Sequence, residues 1–276
     1  MLQLDPKSDR EATMMLHAMV QPSATEVGGL LERLQTLIRS RTVLIFGCGP
    51  SLDGQLRRLG TILRASACPR MAADGATSAL LAAGIKPDII VTDLDGNIAD
   101  IIGASRNGAI VILHAHGDNV ERVSQWLPKL ANVVPVTQTD PTTVVRNFGG
   151  FTDGDKCLFL AAAFGAGAVV LVGMDFGRRI GRRSDPSAFK RPFRERKLAK
   201  LAIGRQLAEE ILRRASLHAY SVTPVPVAQV IRIDPEQAAQ LLGATHNERC
   251  DKYQNGGAPS RGHHLRDGPD HGRRPG

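Results

Sequence analysis

Closely spaced carboxylates are the clearest sign of chemistry in this chain. Asp93 and Asp95 flank Leu94 after the apolar run PDIIVT, so an extended backbone would direct both carboxylates to one side. Two carboxylates on one face repel each other and raise at least one pKa, unless a cation lies between them. Hard oxygen ligands favour Mg²⁺, which takes one or two carboxylates together with substrate phosphates. An Asp-rich turn that caps the next helix is the alternative interpretation.

Other acidic residues also follow apolar runs. Asp74 follows PRMAA, Asp118 follows AIVILHAHG, and Asp153 and Asp155 lie in the group TDGD. Because the carboxyl ends of parallel strands meet at one edge of a sheet, we expect these side chains to converge. His114 and His116 share a face near the same edge. A His/His/Asp transition-metal site is conceivable for them, but the pattern favours a hydrogen-bonded packing role.

The turn GCGPS could bind a phosphate. It follows the first apolar run and precedes a helical pattern, so backbone N–H groups and a helix N-terminus come together there. It lacks the third glycine of the dinucleotide fingerprint and the GK[ST] of the P-loop, so a purely structural turn is equally compatible with it. Cys48 within the turn has no identifiable basic partner, which favours a small packing residue over a nucleophile.

Short apolar runs alternate with helical patterns along the chain. This predicts an α/β fold, a Rossmann-like and mostly parallel sheet covered by helices on both faces. Residues 1–40 are predicted to be an N-terminal helical segment, 41–247 the catalytic domain, and 248–276 a disordered tail rich in Gly, Pro, His and Arg. The predicted strands are 42–49, 69–75, 87–96, 109–118, 132–139, 168–177 and 218–226, and the predicted helices after residue 40 are 51–65, 76–84, 119–130, 154–165 and 195–216.

Composition excludes several classes of protein. With 42% hydrophobic and 22% charged residues among 276, the chain is neither wholly disordered nor fibrous. Its four cysteines form no CxxC pair, so neither a zinc site nor a disulfide framework is predicted. It has no apolar run long enough to cross a membrane and no secretory signal pattern. We therefore expect a cytoplasmic protein that is not associated with a membrane.

Positive charge is concentrated in one segment. Residues 178–214 contain 13 Lys or Arg and four Asp or Glu, whereas the whole chain carries a net charge of +8. Such a segment could bind a polyphosphate or a nucleic acid, or could be a solvated surface. Aromatic residues for base stacking are not interleaved with the charges, so nucleic-acid binding is not predicted. Residues 178–194 are predicted to form a basic loop that either closes over a triphosphate or is only solvated surface.

Seven motifs in order resemble the archaeal-type 6-hydroxymethyl-7,8-dihydropterin pyrophosphokinase family. They span roughly residues 40 to 216, and NFGGFTDGD is the most distinctive. The catalytic core of that family is similar to thiamine pyrophosphokinase. The resemblance implies Mg²⁺-dependent transfer of diphosphate from ATP to the pterin, with release of AMP. The motifs are GCGPSL (47–52), ADGA (73–76), GIKPDIIVTDLDG (84–96), HAHGDN (114–119), TQT (137–139), NFGGFTDGDK (147–156) and GMDFG (173–177).

The resemblance also implies roles for individual residues. Asp93 and Asp95 are the leading magnesium ligands and catalytic residues, and Asp118 and Asp155 are the next candidates, one of which could accept the proton of the attacking hydroxymethyl group. Lys156 stands where the family pattern leads us to expect an arginine. The residues implied to bind substrate or nucleotide are Gly47, Gly49, Pro50, Ser51, Asp74, Gly75, His116, Gln138, Asn147, Thr152 and Asp153.

Two other functions stay open from the sequence. One is a thiamine pyrophosphokinase-like enzyme, and the other is a sugar-nucleotide-dependent glycosyltransferase-like protein. The nucleotide product distinguishes the classes, because a pyrophosphokinase releases AMP, an ordinary kinase ADP and a glycosyltransferase a nucleoside diphosphate. Whether the pterin serves folate or tetrahydromethanopterin synthesis, and what the oligomeric state is, do not follow from the sequence.

Overall fold

The strands form a single parallel sheet. The computed structural model describes residues 5–177, 179–182 and 193–243. In this part of the chain eight strands are ordered β5-β4-β3-β2-β1-β6-β7-β8, and each neighbouring pair is parallel. The strands are β1 (Thr42–Phe46), β2 (Arg70–Ala73), β3 (Ile89–Thr92), β4 (Ile110–His114), β5 (Val133–Val136), β6 (Ala168–Val172), β7 (His218–Ser221) and β8 (Val230–Arg232).

Helices connect the strands, as the crossovers of a parallel sheet require. Short 3-10 helices cover Gln21–Ser23, Gly117–Asn119 and Leu127–Lys129. The α-helices of the described residues are α1 (Pro6–Val20), α2 (Ala24–Ile38), α3 (Leu52–Ala65), α4 (Ala76–Ala82), α5 (Ile98–Arg106), α6 (Val120–Trp126), α7 (Asp153–Ala163), α8 (Phe193–Arg214) and α9 (Pro235–Leu241).

The order of the strands creates a switch point at the centre of the sheet. The chain runs outwards from β1 to β5 and then returns to place β6 on the other side of β1. Ile45 on β1 is therefore paired with Met71 on one side and with Leu171 on the other. In open α/β sheets a crevice forms beyond the carboxyl ends of the strands at such a point.

The core lies on both faces of the sheet. Val43 and Ile45 of β1 pack with α2, α7 and α8, whereas Leu44 and Phe46 of the same strand pack with α3, α4 and α9. All four side chains are completely buried. Since successive side chains of a strand point to opposite faces, an apolar run without polar alternation is what a doubly covered strand needs.

The predicted fold class is confirmed, and the elements differ from prediction mainly at their ends. Each predicted strand is observed but is shorter, and the residues beyond the carboxyl ends of β1, β2, β3, β4 and β6 lie in loops that line the cleft. Strand β8 and helices α5 and α9 are additional to the predicted elements; β8 has only three residues and none of them is buried. The predicted helical segment 1–40 consists of α1 and α2. The predicted tail 248–276 lies outside the described residues.

No helix in the described ranges combines the length and the apolar character that a membrane span requires.

We expect the central strand to carry much of the stability. Ile45 is fully buried on β1, so Ile45→Ala should lower the free energy of unfolding by about 2–5 kcal/mol through lost burial and the cavity left behind. Ile231 on β8 is 52% exposed, and Ile231→Ala should change stability by no more than about 0.5 kcal/mol. Urea denaturation measures both variants, and equal effects would contradict this account of the core.

Candidate active site

Four carboxylates converge at the carboxyl edge of the sheet. Asp74 follows β2, Asp93 and Asp95 follow β3, and Asp153 is the first residue of α7. One oxygen from each lies within 4.8 Å of those of the other three. Asp74 is buried and the other three are partly buried. We call this group the acidic cluster.

Turns, rather than strand geometry, bring these side chains together. Strand β3 ends at Thr92, and Leu94 adopts a left-handed φ of 66°, so the extended backbone predicted between Asp93 and Asp95 is not observed. Asp74 also has a positive φ, 42°. The Thr92 hydroxyl donates to Asp74 Oδ1 at 2.5 Å and accepts from the Leu94 N–H at 2.8 Å. Thr92 therefore joins the two turns that carry three of the four carboxylates.

The loop after β4 supports Asp93. His116 Nε2 lies 3.2 Å from Asp93 Oδ2. The buried amide of Asn119 donates to the carbonyls of Asp93 and His114 at 2.9 and 2.8 Å. Burial acts to raise the pKa of Asp93, but the hydrogen bond and the charge of His116 outweigh it and hold that pKa below its usual range. Asp93 is thus the member of the cluster that most readily stays ionised.

The cluster carries more negative charge than its surroundings balance. Burial, followed by repulsion from Asp95 and Asp153, raises the pKa of Asp74. Burial, followed by repulsion from Asp93 and Asp95, raises the pKa of Asp153. Lys197 on α8 responds in the opposite sense: burial acts to lower its pKa, but the carboxylates of Asp95, Asp153 and Asp93 raise it. A cation bound among these carboxylates would relieve the repulsion.

Two predicted metal ligands lie outside the cluster. Asp155 accepts the N–H groups of Phe151 and Thr152 at 2.5 and 2.8 Å and also the Thr152 hydroxyl, which closes a capping box at the start of α7. Asp118 is 63% exposed and forms an ion pair with Arg196 at 3.0 Å. Its exposed position and its partner on α8 separate it from the cluster. Asp74 and Asp153, predicted only as binding residues, are the other two members of the cluster beside Asp93 and Asp95.

Three N–H groups of the glycine turn after β1 donate to β6 and the loop after it. The N–H of Gly47 donates to the Val172 carbonyl at 2.9 Å, and that of Gly49 to the Gly173 carbonyl at 2.7 Å. The N–H and the hydroxyl of Ser51 both donate to Asp175, at 3.0 and 2.9 Å. These groups join the β1 and β6 loops across the switch point. An added Cβ on Gly47 would lie 2.9 Å from the Gly173 carbonyl, so glycine is required there.

A cleft of about 370 Å³ opens above the acidic cluster. The site residues predicted from the sequence fall into two groups, those that line this cleft and those that do not. Pro50, Ser51, Gly75, Asn147 and Asp155 do not line the cleft. Those that line it are Gly47, Gly49, Asp74, Asp93, Asp95, His116, Asp118, Gln138, Thr152 and Asp153.

Three further residues from the sequence analysis have roles in packing or cleft shape. Burial raises the pKa of the Cys48 thiol, so it is not poised as a nucleophile. Lys156 is buried and donates to the Gly150 carbonyl at 2.9 Å, which fixes the glycine loop instead of facing the cleft. His114 lines the cleft, and burial lowers its pKa, so the ring is held neutral.

Helix α1 forms one wall of the cleft, which sequence reasoning missed. Asp9 accepts the Gly117 N–H at 2.8 Å and the side-chain amide of Gln138 at 2.6 Å. One turn further along α1, the Thr13 and Thr137 hydroxyls lie 2.6 Å apart. The signal available in the sequence was only an amphipathic helix with a carboxylate, which does not reveal its partners.

Helix α8 forms a second, cationic wall. It carries Arg196, Lys197 and Lys200 along the cleft, and Arg179 from the preceding loop joins them. The predicted basic segment thus supplies cations to the cleft. Arg178 and residues 183–192 of that segment lie outside the described residues.

The fold and cleft define a Rossmann-like α/β protein with an acidic centre at the switch-point edge of its sheet. Residues 18–181 match the family described as 6-hydroxymethylpterin diphosphokinase MptE-like. The chain belongs to this family.

Three relatives are named 6-hydroxymethyl-7,8-dihydropterin pyrophosphokinase. That of Methanothermobacter thermautotrophicus is 44% identical over 182 residues, 66% of this chain and 75% of the relative. That of Pyrococcus furiosus is 41% identical over 204 residues, 74% and 84% of the two chains. That of Methanocaldococcus jannaschii is 39% identical over 189 residues, 66% and 77%.

A solved structure of the MAf glycosyltransferase from Magnetospirillum magneticum AMB-1 is also similar. The sequences are 16% identical, the TM-score is 0.48, and the match covers 75% of this chain and 37% of the other. This likeness carries no argument about activity.

Repulsion within the acidic cluster should reduce stability when no divalent cation is present. In EDTA at neutral pH, we expect Asp153→Asn to raise the melting temperature, by roughly 2–4 °C for each kcal/mol of repulsion removed. Because the native pKa values of Asp74 and Asp153 are raised, the native state binds more protons than the unfolded state above about pH 4. Wild-type stability should therefore fall as the pH rises from about 4, and the variant should show a shallower fall.

Asp140→Asn is the matched control for this experiment. Asp140 is exposed and does not line the cleft, so its replacement should leave the melting temperature and its pH slope unchanged. An Asp153→Asn protein that melts no higher than wild type in EDTA, with the same pH slope, would contradict the account of repulsion.

Asp9 should hold α1 against the loop after β4. Asp9→Ala leaves the Gly117 N–H and the Gln138 amide without their acceptor, and we expect a loss of about 1–3 kcal/mol together with faster exchange of the Gly117 amide hydrogen. Asp9→Asn keeps one oxygen acceptor and should give a smaller loss. Unchanged exchange at Gly117 in the alanine variant would show that α1 is held by other contacts.

Proposed function

We propose that this chain transfers the diphosphoryl group of ATP to the hydroxymethyl group of 6-hydroxymethyl-7,8-dihydropterin and releases AMP, in the cytoplasm. The observation that carries the proposal is the acidic cluster, placed between a cationic helix and the switch point of a parallel sheet. Family membership and the names of the three relatives support the choice of acceptor.

The residues of the cluster fit Mg²⁺. All four donors are carboxylate oxygens, and the raised pKa values of Asp74 and Asp153 show that their negative charge is incompletely balanced. Hard oxygen donors of this kind suit magnesium, which also binds substrate phosphates. We infer that Asp74, Asp93, Asp95 and Asp153 hold the ion. When bound, Mg²⁺ would neutralise phosphate charge and orient the triphosphate.

The chain's own groups would align the reactants. The acceptor hydroxyl oxygen forms a bond to the β-phosphorus of ATP while the bond from that phosphorus to the α,β-bridging oxygen breaks. The electron pair of the broken bond leaves with AMP, and the hydroxyl proton passes to a carboxylate of the cluster. Such transfers depend mainly on positioning and charge stabilisation. The proposed reaction therefore does not require a dedicated nucleophile–base pair.

The remaining parts of the cleft suit the two substrates. Arg179, Arg196 and Lys200 line it and can bind phosphate oxygens. Phe151 and Phe176 supply apolar surface for a flat heteroaromatic ring. Capture of the triphosphate by the loop before α8 stays a prediction.

Neutralising one ligand should abolish turnover without unfolding the protein. We expect Asp95→Asn to lower kcat by at least about 100-fold, the scale of losing several kcal/mol of charge stabilisation. AMP formation from ATP and the pterin, followed by chromatography at saturating Mg²⁺, measures this. Asp140→Asn, the same change at an exposed residue outside the cleft, should keep full activity. Near wild-type turnover by Asp95→Asn would exclude the ligand assignment.

Isotopic labels should show which group moves. With ATP labelled at the β or the γ phosphorus, both labels should appear in the pterin product and neither in AMP. Transfer of the γ label alone would indicate an ordinary kinase and overturn the proposed reaction. Parallel assays test the two alternative functions. Thiamine replaces the pterin in one assay, and a sugar nucleotide replaces ATP in the other.

A further inference from the structure

Lys197 is one of the cations of the α8 wall that line the cleft. Arg196 is paired with Asp118 at 3.0 Å, and the Lys200 ammonium lies 5.9 Å from the centre of the Phe151 ring. Lys197 lines the cleft and is partly buried, yet it makes no hydrogen bond or ion pair with another residue in the described ranges. A lysine ammonium carries three donors, and no residue of the described ranges accepts a hydrogen bond from them.

The packing of α8 fixes where Lys197 lies. Gly204 is seven residues further along the helix and so lies on the same face. A Cβ added to Gly204 would come within 2.7 Å of Asp155 Oδ1 and 3.1 Å of the Thr152 hydroxyl. The glycine therefore lets α8 approach the start of α7 closely. Two turns before this contact, Lys197 lines the same cleft as the acidic cluster.

The acidic groups acting on Lys197 are the ones assigned to the metal. The carboxylates of Asp95, Asp153 and Asp93 raise the pKa of Lys197. Lys197 and these carboxylates line the same cleft, so a phosphate chain bound there would meet both a metal ion and the ammonium. A carboxylate-bound ion and an ammonium in one cleft suit a transferring phosphoryl group, which carries negative charge on its oxygens.

We propose that Lys197 is a catalytic residue whose ammonium donates hydrogen bonds to the β-phosphoryl oxygens while the diphosphoryl group moves from AMP to the acceptor hydroxyl. This inference rests on the proposed function. The bonds formed and broken are those of the proposed reaction, and Lys197 stays protonated throughout. Its contribution is to stabilise charge that builds up as the bond to the bridging oxygen breaks.

A role limited to balancing the charge of the acidic cluster is the competing explanation. It predicts that Lys197→Gln binds Mg²⁺ more tightly and keeps the wild-type kcat once Mg²⁺ and ATP are saturating. A catalytic role predicts instead a fall in kcat of about 100-fold or more under the same conditions, with a change in the KM for ATP of only a few-fold.

The experiment compares Lys197→Gln, Lys197→Arg and Arg194→Gln. Arg194 is exposed at the start of α8 and does not line the cleft, so its variant removes the same charge from the same helix and should keep wild-type kcat. Lys197→Arg keeps the charge with a different donor geometry and should recover part of the rate. Calorimetric titration with Mg²⁺ alone shows that each variant is folded and gives its metal affinity.

The outcomes separate this inference from the proposed function. If the wild-type protein makes no AMP from ATP and the pterin, the proposed function fails. If the wild type is active and Lys197→Gln keeps its kcat at saturating Mg²⁺, only the role of Lys197 is overturned. Equal losses in Lys197→Gln and Arg194→Gln would also overturn it, because they would reflect the charge of the helix as a whole.

Discussion

The mutual repulsion of four carboxylates is the constraint around which the site is built. Their oxygens lie within 4.8 Å of one another, at an edge where burial makes each charge costly. Hydrogen bonds hold the turns that carry the carboxylates. The Thr92 hydroxyl donates to Asp74, His116 contacts the Asp93 carboxylate, and the Asn119 amide donates to the Asp93 carbonyl. These contacts fix the geometry of the cluster but do not neutralise it. A cation bound among the carboxylates would balance the remaining charge.

The topology explains why distant motifs supply neighbouring groups. Strands β1, β2 and β3 are adjacent and parallel, so their carboxyl ends deliver the glycine turn, Asp74 and the Asp93–Asp95 turn to one edge. The chain then travels to β5 and returns through α7, which brings Asp153 to the same place from the opposite direction. The hydrogen bonds of Asp175 to Ser51 close the gap between the β1 and β6 loops. The crossover from β5 to β6 thus completes the acidic cluster that the loops after β2 and β3 begin.

Sequence patterns revealed the sheet and the edge where the acids meet, because buried strands and terminal carboxylates are local features. They did not reveal which four carboxylates form the acidic cluster. Asp153 and Asp155 are two residues apart on a helix, and which one faces the cluster depends on a capping box that only the folded loop defines. Leu94 gave no sign of its left-handed turn, which is uncommon for a bulky residue. The α1 wall was missed because α1 reaches the site through tertiary packing, whereas the charge of the basic segment was visible in the sequence.

The hydrogen bond from the Gly49 N–H to the Gly173 carbonyl joins the loops of the two central strands. Opening the cleft from below would separate β1 from β6 and disrupt the centre of the core. The two walls are attached differently, α1 through side-chain hydrogen bonds such as those of Asp9 and α8 through its packing at Gly204. We therefore expect any opening of the cleft to occur at these two peripheral helices. The acidic cluster, held by the loops of the sheet, would keep its geometry while the walls move.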